Sequence, residues 1–599
     1  MPPSSSVAGA EPKASWLYAF IGFTAAALFI IGLLGQPDLV DNERRVGAYI
    51  LDAVQHGHWM AQRDTTGEVA SKPPMVTWIG ASVTLLVGEL NRFTIYLPSA
   101  LATLIVGLLL FKVGRERFGW AAGLLAATAY LVSPMGNEIA QTARYDGLFA
   151  LPVLLAAMAA FRAWTTGQGW TWFWLAAAFG SLVKGPLGLV LGAMGLLAAI
   201  WEWRSGSPLR PRGHHWIGIG IYLLIFGGWF WLAYREMGPP LIEKQIGREL
   251  LRHAVKGTAS ETMAGKFWEP TLAFLTLFLP WSVASLSALW RVVKHPSPDL
   301  ATRRFERFLS CWFVAGLILF SIAAHQRSRL IFPIMPALAL LTGRELARLI
   351  ALWKPHWPPQ ALVRAVAGLT AFVLCFLVFH RRELLRHSTA VQRTVAIKEF
   401  ADKIRDDLGT QFPLTYVGRN PSGLNLFPLQ FYLNTMRSHV TLEQAAELLR
   451  GPVPAFVVVG KAKDSKDEGP ESPGDPLTQL KSRLGTNGPP LHELARCAAQ
   501  GKVVMRIVSN HPRLEWPAHN VSQTASMRVE TRDVRQHRFS GGEMFFERTA
   551  PGGSVAITNL STNEPQALRI RLTGHGGEQS ANRLLEPGQS WRSDKADSK

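Results

Sequence analysis

Three groups of residues in this chain have types and spacing that could do chemistry. The first is Asp41, Asn42, Glu43, Arg44 and Arg45, a run of acid, amide and base that follows closely on an apolar stretch. The second is Arg144, Tyr145 and Asp146 in the step ARYDG, which stands between two further apolar stretches. The third is basic: Lys72 before Pro73 and Pro74, Lys184 before Gly185 and Pro186, and Arg327 with Arg329 in the turn HQRSR. A carboxylate can take the proton of an attacking hydroxyl, and fixed cations can stabilise charge developing on a departing phosphate. Gathered at one membrane surface, these residues suit an anionic, lipid-linked substrate. Each also has a plainer reading. Glu43 with Arg44 and Arg45 could be a helix-start charge pattern, Asp146 a helix cap, and Lys184 and Arg329 side chains snorkelling from span ends. Their expected presence on one side favours the chemical reading.

The elements that must position these groups are membrane spans. Of 599 residues 48% are hydrophobic, with 21 Trp, and apolar runs of about 20 residues flanked by charge recur as far as His380. The formal net charge of +19 lies mostly in short loops between those runs, the pattern of the positive-inside rule and of anionic headgroups rather than of nucleic-acid binding. Three cysteines, Cys311, Cys375 and Cys497, suggest no disulfide framework. The apolar segment Trp16 to Gly35 is longer than a signal h-region of about 7 to 15 residues and reads as a retained anchor.

Charge fixes the expected topology. The run Met75 to Gly88 is short for a span and starts after two prolines, which suits a juxtamembrane helix. If it crossed, Lys112, Arg115 and Arg117 would share a side with the acidic loop. With Trp16 to Gly35 as the first span, Phe93 to Phe111 as the second and Trp120 to Pro134 as the third, the count reaches about eleven spans, ending at Phe379. Arg204, Arg210 and Arg212, then Arg291, Lys294, Arg303 and Arg304, then Arg344, Arg348 and Lys354 fall inside. Arg381, Arg382 and Arg386 break the scheme. The expected fold class is mainly α: a polytopic helical membrane protein followed by a soluble C-terminal α/β and β-sandwich-like region. The expected domains are 1–389 in the membrane, 390–515 as α/β, and 516–599 as a β-rich module with a disordered end. Within the tail, Thr415–Val417 and Ala455–Val459 read as strands, Thr441–Leu449 as a helix, and Lys461–Pro476 as a mobile insertion.

The ordered motifs RFTIYLPSALATLIVGLLLFKVGRERFG, ARYDGLFALPVLLA, SLVKGPLGL and RSRLIFPIMPALALL, with the acidic first loop and the K-P-P step, resemble the GT-C membrane glycosyltransferases. The nearest type is that of the aminoarabinose transferases and protein O-mannosyltransferases (glycosyltransferase family 39/83), over roughly the first 350 residues. The resemblance implies transfer of a sugar from an undecaprenyl-phosphate-type carrier, with inversion. The acceptor would be a lipid, glycan or protein at the periplasmic face of a bacterial inner membrane, in lipopolysaccharide or protein glycosylation. Asp146 matches the second acid of that family. The first acid is expected as an Asp-Glu pair before Arg, and here that pair is Asn42-Glu43 before Arg45. An amide is a poor base, so Glu43, or Asp41 beside it, must supply the carboxylate, or the site is altered. Arg45, Lys72, Lys184, Arg327 and Arg329 are the donor-phosphate candidates, and Asn42, Arg144 and Tyr145 the substrate contacts. Where aminoarabinose transferases carry a Glu before K-P, this chain has Ser71, which weakens the case for a divalent metal there. The pair His214-His215 lacks further ligands for one. No cofactor is assigned. Two other classes stay open: a transporter or flippase of a lipid-linked saccharide, which would favour ionisable groups at mid-span and repeated halves, and a GT-C scaffold with altered catalysis, on account of Asn42.

Overall fold

The computed structural model describes residues 11–34, 41–206, 211–252, 267–323, 328–418, 426–460, 475–485, 488–516, 519–523, 527–540, 543–549, 553–560, 566–574 and 579–593. The chain divides into two compact units. One contains Met1–Gly35, Val69–Gly80 and Ile95–Leu384; the other contains Gln36–Glu68, Ala81–Thr94 and Leu385–Lys599.

The first unit is helical and makes this a multi-pass membrane protein. Among the described residues eight helices are long and apolar enough to cross a bilayer, from Ala14–Leu33 to Pro359–His387. The pair Glu269–Leu277 and Trp281–Lys294, bent by 115°, brings the number to nine if it forms one span. The difference from eleven has a physical origin. Trp120–Val132 has 13 residues and Trp170–Lys184 has 15, so they rise only about 20 and 22 Å, against a hydrocarbon core of about 30 Å. The expected helix from Trp120 stops at Val132, because Ser133 caps a new helix, Pro134–Ala140, by accepting from the Gly136 N–H. Small residues let the short Trp120–Val132 helix pack closely inside the unit. A Cβ on Gly123 would lie 2.5 Å from the Phe111 carbonyl oxygen, and one on Gly343 would lie 2.3 Å from that of Ala122. Close backbone approach of this kind is how membrane helices gain packing without a hydrophobic drive between them. Met75–Val87 is a 13-residue helix that begins directly after the two prolines.

Several arginines that fixed the expected topology are paired rather than loose. Arg307 reaches Glu202 Oε1 at 2.7 Å and Arg303 reaches Oε2 at 3.3 Å. Arg344 meets Glu306 at 2.8 Å, and Arg348 meets Glu345 at 2.6 Å. All three glutamates are buried. Arg381, one of the residues that broke the charge scheme, donates to Gln141 Oε1 at 3.0 Å. An internal polar partner, not a loop position, accounts for it.

The second unit contains a five-stranded sheet of β1 (Leu414–Val417), β2 (His439–Val440), β3 (Phe456–Gly460), β4 (His492–Ala499) and β5 (Lys502–Ser509), in the order β2-β1-β3-β5-β4. β1 runs parallel to β2 and β3; β5 is antiparallel to β3 and β4. Successive side chains of a strand point to opposite faces, and both faces are covered. Tyr416, Phe456 and Val458 join a cluster with Ile397, Phe400 and Ile404 of the helix Thr389–Leu408. Val417, Val457 and Val459 join one with Ala445, Leu449 and Leu480. The helix expected near Thr441 is Leu442–Arg450, with a full capping box between Thr441 and Gln444. Residues 461–474 of the expected insertion lie outside the described residues. Beyond them, β6 (His519–Gln523), β7 (Met527–Arg532), β8 (Val534–Ser540), β9 (Glu543–Arg548), β10 (Ser554–Asn559), β11 (Gln566–Gly574), β12 (Gln579–Leu585) and β13 (Ser590–Arg592) form two four-stranded sheets, β13-β10-β7-β6 and β12-β11-β9-β8. Their shared core includes Val529, Phe546, Ile557 and Ile570.

Residues 41–68, after the first apolar segment, also belong to this second unit. They begin with a helix, Asp41–His56. Gln55 Nε2 donates to the Asn434 carbonyl at 2.7 Å, and Gln55 Oε1 accepts from the Met436 N–H at 2.8 Å. The His439 N–H donates to the Thr65 carbonyl at 2.6 Å. Gly47 allows the contact with the Phe427 ring, where a Cβ would come within 2.9 Å.

Candidate functional site

In the membrane unit the ARYDG step becomes the start of the helix Tyr145–Thr166. Arg144 occupies the N-cap in extended conformation and makes no side-chain cap. Asp146, in the first turn, does not cap either: its Oδ1 accepts from Lys184 Nζ. Lys184 is the last residue of Trp170–Lys184, which Gly185 ends at φ 68°. The side chains of Asp146 and Lys184 are each 11% exposed, and the Lys184 ammonium lies 5.5 Å from the Phe149 ring centre. Lys184 is thus held by an internal acid and an aromatic face, not extended toward headgroups.

A second pairing shares the segment. Glu138 Oε1 lies 2.5 Å from Arg329 Nη2 and 3.6 Å from Arg144 Nη2. Ser99 Oγ straps the backbone between these groups, donating to the Arg144 carbonyl at 2.6 Å and accepting from its N–H at 3.3 Å. Gly147 fits because a Cβ there would meet Ile139 at 2.9 Å and Ser99 at 3.0 Å. This part of the unit sets the cations Arg144, Lys184 and Arg329 against the carboxylates Asp146 and Glu138, with Arg381 held by the amide of Gln141. A surplus of fixed positive charge is what a phosphate needs. Tyr145 is half-buried beside Asp146, and Lys72 is half-buried in the same unit, where the carbonyl of nearby Ala70 accepts from Gln245 Nε2 at 3.2 Å. Arg327 lies outside the described residues. Glu138 is not among the candidates that the sequence motifs single out. It stands eight residues before Asp146, and an acid between two apolar runs was the available signal.

In the second unit, Asp41 and Asn42 open the helix Asp41–His56, with side chains outside the described residues. Glu43 is 2% exposed; Arg44 is half-buried and Arg45 exposed. The Tyr432 hydroxyl is pushed up mainly by burial; Arg92 lowers it, and the negative charges of Glu43 and Asp402 raise it. Farther along the helix, Asp52 accepts from His56 and His58. Burial pushes its pKa up, but the two imidazoles outweigh burial and leave the carboxyl below its ordinary range.

Residues 71–231 match the family described as dolichyl-phosphate-mannose-protein mannosyltransferase. The undecaprenyl phosphate-alpha-4-amino-4-deoxy-L-arabinose arabinosyl transferase 1 of Sodalis glossinidius is 28% identical over 365 residues, 58% of this chain and 60% of that protein. The protein of the same name from Pseudomonas fluorescens is 24% identical over 345 residues, 55% of this chain and 57% of that one. The chain thus spans about three fifths of the length of these curated relatives. Among solved structures, ArnT from Cupriavidus metallidurans bound to undecaprenyl phosphate is similar with a TM-score of 0.64 and 17% identity, covering 84% of this chain and 99% of that one. At that identity the likeness concerns the fold.

Proposed function

We propose that this chain, a GT-C glycosyltransferase of the family matched at residues 71–231, moves a sugar from a polyprenyl-phosphate carrier to an acceptor hydroxyl. The observation that carries the reading is the pairing of Lys184 with Asp146 and of Arg144 and Arg329 with Glu138, with Arg381 on Gln141 of the same segment. In the transfer, the acceptor oxygen bonds to the anomeric carbon as the bond from that carbon to the carrier phosphate breaks, with inversion. The acceptor proton passes to a carboxylate and the electron pair leaves with the phosphate. Lys184 and Arg329 are suited to the phosphate, since charge grows there in the transition state and pre-placed cations need no reorganisation. Their ion pairs with Asp146 and Glu138 hold them in place beforehand. Asp146 would then orient the sugar or acceptor. Arg45 and Lys72 are assigned to the carrier phosphate and Glu43, ahead of Asp41, to the proton, on the strength of the sequence motif. We place the reaction at the periplasmic face of a bacterial inner membrane, with undecaprenyl phosphate as the carrier and a lipid, glycan or protein as acceptor. The arabinosyl transferases matched over more than half of the chain support that carrier.

The test is transfer of labelled sugar from purified polyprenyl-phosphate sugars to a membrane extract by the full chain. A wild-type protein that binds the carrier yet transfers nothing would sink the reading. Activity lost in Asp41→Asn but kept in Glu43→Gln would move the base to Asp41.

A further inference from the structure

We propose that Asp52, His56 and His58 form a binding site for one divalent transition-metal ion of the zinc type, at the end of the helix Asp41–His56. None of these residues is assigned to sugar transfer. Local geometry brings them together. Asp52 and His56 are four apart and share a helix face. Gly57, at φ 76°, reverses the chain immediately afterward and returns His58 to the same carboxylate. One ligand atom from each residue lies within 4.8 Å of the others.

The distances approach those of a coordinated ion. His56 Nδ1 lies 2.8 Å from Asp52 Oδ1, and His58 Nδ1 lies 3.1 Å from Oδ2. Around zinc, with metal–ligand distances of about 2.0–2.1 Å, the edges of a tetrahedron measure about 3.3 Å. Each pair need open by only a few tenths of an ångström, with the metal taking the place of the shared protons. The carboxylate is fixed from behind, because the Arg63 N–H donates to Oδ2 at 2.7 Å. Such an outer hydrogen bond is what orients a carboxylate ligand in metal sites. Exposure fits as well: the Asp52 side chain is 3% exposed, while those of His56 and His58 are 19% and 23% exposed. The anionic ligand is therefore sheltered, and a water could reach the fourth position past the imidazoles.

The donor set selects the class of ion. Two imidazole nitrogens and one carboxylate oxygen suit zinc and its first-row neighbours, whereas calcium and magnesium take oxygen shells. An ion here would fasten the residues after Gly57 to the last turn of the helix that begins with Asp41 and carries Glu43.

The experiment uses the full chain, purified in detergent with a tag free of histidine and stripped with a chelator. Cobalt(II) is titrated by its visible absorption, and zinc(II) by displacement of that signal and by calorimetry. One equivalent is expected to bind with micromolar or tighter affinity. His56→Ala and His58→Ala should each weaken it by about tenfold or more, and Asp52→Asn at least as much. His214→Ala with His215→Ala serves as the control and should leave binding unchanged. Because Asp52 is buried and its variant can fail to fold, the two histidine variants, checked by gel filtration, decide the matter. A wild type that takes up no cobalt at micromolar concentration overturns the proposal, as does uptake that persists undiminished in both histidine variants.

Discussion

Lys184, at the end of one helix, donates from Nζ to Oδ1 of Asp146 in the first turn of another. Both charges are largely withdrawn from solvent, and each is the other's counter-ion until a substrate arrives. The pair is therefore expected to respond asymmetrically. Lys184→Met should lower kcat/KM for transfer by about 10²–10³, the usual cost of removing one donor from a developing anion. Lys184→Arg should recover part of the loss. Asp146→Asn should lower kcat while carrier binding persists. Steady-state transfer assays with separate carrier-binding measurements check this, and equal loss of carrier binding in all three variants would contradict the division of roles.

Glu138 stands between Arg329 at 2.5 Å and Arg144 at 3.6 Å. Neutralising it should not abolish the positive field but should free two guanidinium groups from their common anchor. Glu138→Gln is expected to raise KM for the carrier sugar by about tenfold, in keeping with loss of pre-organisation rather than of charge. Glu138→Asp should lie between the variant and wild type. An unchanged KM would show that Arg329 is positioned without Glu138.

Much of this was legible in the sequence, for reasons that can be named. Long apolar runs fixed the helical class, because backbone groups in a bilayer must pair within their own segment. The short strands near Tyr416 and Val457 and the capped helix near Thr441 followed from local pattern alone. Asp146 and Lys184 were singled out by type and by position at span ends. Their mutual contact was not foreseen, since 38 residues separate them and a helix face cannot be read from an all-apolar run. The run from Trp120 reads as a full span because its composition is apolar, whereas the helix has 13 residues and ends where Ser133 and Pro134 start the next one. The contacts of Gln55 and Thr65 with Asn434, Met436 and His439 inside the second unit cross more than 370 residues, for which local periodicity carries no information. The Asp52–His56–His58 group does leave a trace in the sequence, D-x₃-H-G-H.

Glu202 is fully buried and receives Arg307 at 2.7 Å and Arg303 at 3.3 Å. Removing the shared acid takes from Arg303 and Arg307 their common carboxylate, and Arg307 is itself buried with Ser205 Oγ at 3.0 Å, so Glu202→Ala should destabilise the membrane unit by about 3–5 kcal/mol. Arg303→Ala, which leaves Glu202 its shorter partner, should cost markedly less. Thermal unfolding in detergent, with yield of folded protein as a second readout, compares the two. Equal effects would mean that the network does not depend on Glu202.

His439 gives the second unit a pH dependence of definite sign. Burial pushes its imidazole down to about 4. Its ring stacks near Tyr416, with centroids 6.0 Å apart, and Nε2 is 3.1 Å from Gln430 Nε2. Tyr416 is itself pushed up to about 12 by burial, so it does not titrate in the same window. An unfolded histidine takes its proton near pH 6.5; the folded one stays neutral until about 4. Between those values the unfolded state binds more protons, so stability is complete above about pH 6.5 and falls as pH drops, by up to about 3 kcal/mol. His439→Gln has no titrating ring and should lose less between pH 7 and pH 5 than wild type does. Denaturant unfolding of the two proteins at both pH values measures the difference. Parallel losses would show that His439 is protonated in the folded chain.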